Sequence, residues 1–71
     1  MTQLILYVEE MRSRREVREV TGRLRDVSGV ETITADPSRS LVRVGGSMTV
    51  EAVLEAFASA GYAPQLVGRT G

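Results

Sequence analysis

Apolar residues first recur at every second position. Leu4, Leu6 and Val8, within QLILYV (residues 3–8), mark the buried face of a strand. The period then changes. Past a charged stretch from Glu9 to Arg15, interrupted by Met11, the residues Val17, Val20, Leu24 and Val27 fall at helical spacing. Arg18, Glu19, Arg25 and Asp26 occupy the opposite face. Ser13 stands three residues ahead of Glu16, a capping box in which the hydroxyl accepts from a helical N–H and the carboxylate reaches back. Ser28-Gly29 is expected to stop this helix, with Gly29 the left-handed residue past its end.

From Val30 to Ala35 β-branched residues predict a second strand, and Leu41 to Val44 a third. Between them Asp36-Pro37-Ser38-Arg39 is turn chemistry, because proline presets the first central position of a type I turn. Gly45-Gly46-Ser47 is expected to break the hairpin. Thr49 can cap a second helix, with Glu51 in its first turn and Val50, Val53, Leu54 and Phe57 as its stripe. Gly61 should end it, and Tyr62 to Val67 should form a last strand. The order β-α-β-β-α-β predicts an α+β, ferredoxin-like sandwich: a four-stranded antiparallel sheet with two helices on one face. The last strand belongs at an edge, where Pro64 can do without an N–H. Residues 1–67 then form one domain and 68–71 a short tail.

Composition narrows the chemistry. There is no Cys, His, Lys, Asn or Trp, so the ligands preferred by soft metals and the commonest general base and nucleophile are missing. All nine positive charges are Arg and nine acidic residues cancel them, so no net field draws in nucleic acid or an anionic membrane. Gly45-Gly46-Ser47 lacks the Lys and the longer glycine pattern of a phosphate loop. No apolar run approaches a membrane span, so no direct membrane insertion is expected. The start MTQLILYVEE has no basic flank before its apolar stretch; it is not read as a signal peptide, and a cytoplasmic location is the expectation.

The spacing also resembles one family, the heavy-metal-associated domains, over about residues 4–67. In that family a Met-x-Cys-x-x-Cys loop precedes the first helix. Met11 fits the methionine, which puts Ser13 and Glu16 where the two cysteines would stand. Val17, Val20, Leu24, Val27 and Gly29-Val30 follow in the family's register without a gap. Ile33-Thr34-Ala35-Asp36 stands for its Val-x-Val-Asp strand end, and Ala60-Gly61-Tyr62 for its Ala-Gly-Tyr signature. The departures are as informative. Both cysteines are replaced, and Glu10 takes the place of the glycine before the methionine.

A serine hydroxyl is a poor ligand at neutral pH and a carboxylate prefers hard ions, so thiol-type metal binding is not expected. No cofactor is expected, and the chain is read as a non-enzyme. Arg12, Arg14, Arg15 and Arg18 crowd the loop and first turn, where they would repel a cation. The segment from Ser13 to Glu16 reads either as a plain helix cap or as a docking surface formed by those arginines with Tyr62. The resemblance implies work beside heavy-metal, copper-type transport. The partner would then be a metal-transporting P-type ATPase or a related metal-trafficking protein. The alternative is a metal-binding protein whose unconventional site is completed by another chain, and a sheet edge offers a route to a homodimer.

Overall fold

Alternation builds the sheet and helical spacing the layer above it. The structure, a computed structural model, describes residues 1–70. Its elements are β1 (Thr2–Tyr7), α1 (Arg14–Arg25), β2 (Val30–Asp36), β3 (Leu41–Gly46), α2 (Val50–Ser59) and β4 (Gln65–Thr70). All pairings are antiparallel, in the order β2-β3-β1-β4, which is the predicted α+β ferredoxin-like arrangement. Leu4 lies opposite Val44 and Leu6 opposite Val42. These four side chains are fully buried, in one core with Val20 and Leu24 of α1 and Val53 and Phe57 of α2. Val8 and Met11, just beyond β1, close that core beneath the β1–α1 loop. Among the described residues no helix is long and apolar enough to cross a membrane.

The helix ends follow local chemistry, with one correction. Thr49 caps α2 by accepting from the Ala52 N–H at 3.2 Å. Gly61 (φ +86°) ends α2 as predicted: its N–H donates to the Ala58 carbonyl at 3.0 Å and the Tyr62 N–H to the Phe57 carbonyl at 3.0 Å. That pair of bonds is a Schellman closure. At the end of α1, however, Ser28-Gly29 does not form the cap. The helix stops at Arg25, and three-residue bonds from Asp26 to Arg23 and Val27 to Leu24 taper it. Gly29 is left-handed (φ +91°) in the link to β2, and a side chain there would also press on the backbone at Ser47 and Met48.

Two strands run further than composition suggested. Gly45-Gly46 does not break β3; both glycines pair with β1 on one side and β2 on the other. They sit in a central strand because neighbours come too close for a Cβ. A Cβ on Gly45 would lie 2.6 Å from Thr32 Oγ1, and one on Gly46 would overlap the Gly29 carbonyl. β4 starts at Gln65 rather than Tyr62, since Tyr62 is held in the α2 closure and Pro64 has no N–H to offer. It continues to Thr70, so Gly68, Arg69 and Thr70, expected in the tail, pair with Ile5, Leu4 and Gln3. Gly71, the end of that tail, lies outside the described residues.

Both outer strands carry a register break. Val30 and Thr32 of β2 face successive residues of β3, leaving Glu31 as the extra residue. Ile5 and Leu6 of β1 face Gly68 and Leu66, leaving Val67 extra in β4. Bulges of this kind twist an edge away from flat pairing with another strand.

Candidate functional site: the loop between β1 and α1

The loop is closed from inside by one carboxylate. Glu16 Oε1 accepts from the Arg12 N–H (3.1 Å), the Ser13 N–H (2.9 Å) and the Ser13 hydroxyl (2.8 Å). The capping box is therefore in place, with its carboxylate half the stronger. The Ser13 oxygen faces the helical N–H of Glu16 without closing a full hydrogen bond. Further bonds anchor the base of the loop: Met11 N–H to the Val8 carbonyl (3.1 Å) and Val8 N–H to the Ser40 carbonyl (2.7 Å). Ser40 itself holds a left-handed φ of +57° at the end of the hairpin turn. Across the loop, Glu10 Oε2 accepts from the Ala63 N–H at 3.2 Å and ties it to the segment after α2. Met11 is fully buried, a core residue that offers no thioether to solvent.

The charges around the loop fall into separate groups. Arg12 folds back onto its own loop, its Nε donating to the Glu9 carbonyl at 3.2 Å with its guanidinium 4.0 Å from the Glu9 carboxylate. Tyr62 is half-buried against the core, and its phenol sits among carboxylates rather than arginines. Partial burial first, and then the nearby carboxylates of Glu19, Glu16 and Glu10, push its pKa up. Among the described residues Arg14, Arg15 and Arg18 form no ion pair. Arg14 and Arg18 instead line a shallow depression on the outer flank of α1 with Val17, Thr21, Gly22 and Arg25. Arg14 and Arg18 thus lie on the flank of α1, while Tyr62 follows the end of α2. Arg25 was placed only on the polar face with Arg18, and Gly22 was not singled out, although their helical spacing from Arg14 was legible. The Glu10–Ala63 contact spans most of the chain and had no local signal.

Hydrogen bonding makes Glu16 a pH-sensitive clasp. The Ser13 hydroxyl, and next the Arg12 N–H, hold its carboxyl below the usual range. A group whose pKa is lower in the folded state adds stability above its unfolded pKa, and loses that contribution as pH falls through the folded value. Glu16→Gln should therefore melt slightly below wild type at neutral pH, with the gap closing on acidification. Melting temperatures from neutral to acid pH test this. An unchanged gap at low pH would mean that the charge is not what closes the loop.

In the chemistry it offers, the site is a closed, mixed-charge surface. Among the described residues no group of three or more acidic side chains is placed to hold a metal ion, and no polar or charged side chain is buried. Against known proteins, the sequence profile of the heavy-metal-associated domain matches residues 5–63. The chain belongs to the heavy-metal-associated domain family. Curated proteins give no sequence match. Solved structures do. A copper binding domain from HMA7, a P-type ATPase, superposes with a TM-score of 0.91 at 18% identity over 100% of both chains. Oxidized MerP from Ralstonia metallidurans gives 0.88 at 21% identity, over 96% of this chain and 100% of that one. The yeast copper transporter domain CCC2A gives 0.86 at 17%, over 96% and 97%. At these identities the likeness is one of fold. The family's loop is here present without a cysteine.

Proposed function

We propose that this chain is a non-catalytic interaction module of heavy-metal, copper-type transport, retained for its surface after its thiol site was lost. The observation that carries this reading is the Glu16 clasp: one carboxylate oxygen accepts from three donors of the loop and ties it to the first turn of α1. A loop held by its own side chains can meet a protein partner. The docking surface in this reading comprises Arg12, Arg14, Arg15, Arg18 and Tyr62. The partner is a metal-transporting P-type ATPase or a related metal-trafficking protein, and a cytoplasmic location goes with that. The family match and the fold shared with a P-type ATPase's copper binding domain support the placing beside metal transport. The bulges in β2 and β4 weigh against two copies joining edge to edge.

Metal titration tests the reading directly. With Cu(I) against a competing chelator, and with zinc by calorimetry, the domain should show no stoichiometric binding at sub-micromolar concentration. Stoichiometric binding there would overturn it in favour of an unconventional metal site.

A further inference from the structure

Arginine and glycine on the outer flank of α1 form a surface that the fold itself does not use. Arg14, Arg18 and Arg25 stand at i, i+4 and i+11, along about 16 Å of helix. They border a depression in which Gly22 is the smallest residue. None of the three has an ionic partner among the described residues. The acids of the same helix stand elsewhere: Glu16 closes the loop and Glu19 lies by Tyr62. On the inner side Arg23 Nη1 reaches Ser59 Oγ of α2 at 3.5 Å. The basic side of α1 is therefore segregated, although the chain as a whole is neutral.

Gly22 is the second observation. Glycine in a helix interior lowers helix stability relative to alanine. Apart from its chain neighbours and the helix's own backbone, no atom of the described residues lies within 4 Å of where its Cβ would be, so packing against the rest of the fold does not require the glycine. A missing side chain on an exposed helix lets another backbone come close. We propose that Arg14, Arg18 and Arg25 around Gly22 form the docking surface for an acidic helical segment of a partner protein.

Spacing favours a helix as the occupant. The three guanidinium groups are strung along one line, so carboxylates at the same spacing on a second helix can meet them while the two backbones close at Gly22. One phosphate could engage Arg14 and Arg18, a turn apart, but not Arg25 as well. A neutral chain supplies no broad field for nucleic acid or a charged bilayer. The inference rests on the interaction-module reading and deepens it, moving the contact from the loop to the flank of α1.

The probe is an alanine-based helical peptide carrying glutamates at i, i+4 and i+11, titrated into the isotope-labelled domain at low salt and followed by amide chemical shifts. Shifts should centre on Thr21, Gly22 and Arg25, shrink with added salt, and vanish when the glutamates are replaced by glutamines. Gly22→Leu should raise the melting temperature of the free domain and weaken the peptide about tenfold. Arg43→Ala, at an exposed position of β3, should leave the affinity unchanged. Shifts confined to residues 9–13 and Tyr62, with Arg12→Ala weakening the peptide, would overturn the flank and keep the loop as the docking surface. Shifts at neither place would overturn the flank while leaving the metal titration to decide the wider reading. The same shifts with inorganic phosphate, or with vesicles of anionic phospholipid, would replace an acidic helix by a small-anion or membrane surface.

Discussion

Gly46→Ala should destabilise the domain by about 3 kcal/mol, the largest loss expected from adding one methyl group to this chain. Two costs combine. Gly46 has a φ of +148°, which residues with a side chain rarely adopt, and a Cβ there would overlap the Gly29 carbonyl and come within 2.9 Å of the Glu31 N–H. Neither neighbour can step aside. The Gly29 carbonyl accepts from Ser47 N–H at 2.9 Å, and Glu31 is the bulged residue that re-aims β2. In a domain this small, a loss of that size is a large share of the total, so the melting temperature should fall by about 10–25 °C. Gly61→Ala is the useful contrast: its φ of +86° is strained for alanine, but its Cβ would meet nothing within 4 Å. That variant should lose only about 1 kcal/mol. Denaturant titration of both separates strain from steric overlap. Equal losses would mean that the close approach of Gly29 to Gly46 is not what requires glycine.

Local chemistry was legible wherever a short stretch of chain decides its own conformation. The stripe from Val17 to Val27, the Ser13–Glu16 box and the closure at Ala60-Gly61-Tyr62 each involve residues a turn or two apart. What failed had its cause elsewhere in the chain. Gly45-Gly46 looked like a break because glycine is a poor strand former, yet Thr32 and Gly29, distant in sequence, require glycine there. The last strand looked three residues too early because Tyr62 is a good strand former, whereas the carbonyl of Phe57 already holds its N–H. At the site the same limit applies. Which charges face the loop was readable from composition, but that Tyr62 would lie among Glu10, Glu16 and Glu19 depends on how α1 meets the end of α2.

Restoring both cysteines, Ser13→Cys with Glu16→Cys, should convert the domain into a tight Cu(I) binder. The two positions already meet, since the Ser13 hydroxyl lies 2.8 Å from a Glu16 oxygen. A cysteine at 16 would end two bonds short of that oxygen, leaving between two thiolates the gap that an ion fills. The helix N-terminus and the neighbouring arginines favour the thiolate form, although the same arginines repel the incoming cation. The cost falls on the metal-free protein. Without Glu16 the N–H groups of Arg12 and Ser13 lose their acceptor, so the metal-free double variant should melt below wild type. Loading should reverse that, adding about 4 kcal/mol once free Cu(I) exceeds the dissociation constant a thousandfold. Neither single variant should bind tightly, because one thiolate cannot form the pair. Chelator competition and thermal melts of the four proteins test this together, and a double variant that binds no better than wild type would mean that positions 13 and 16 are not the family's metal positions. If it does bind, residue 16 is shown to have one role at a time. A cysteine there holds the ion and leaves the empty loop weakened, whereas a glutamate closes the loop and leaves the ion no place.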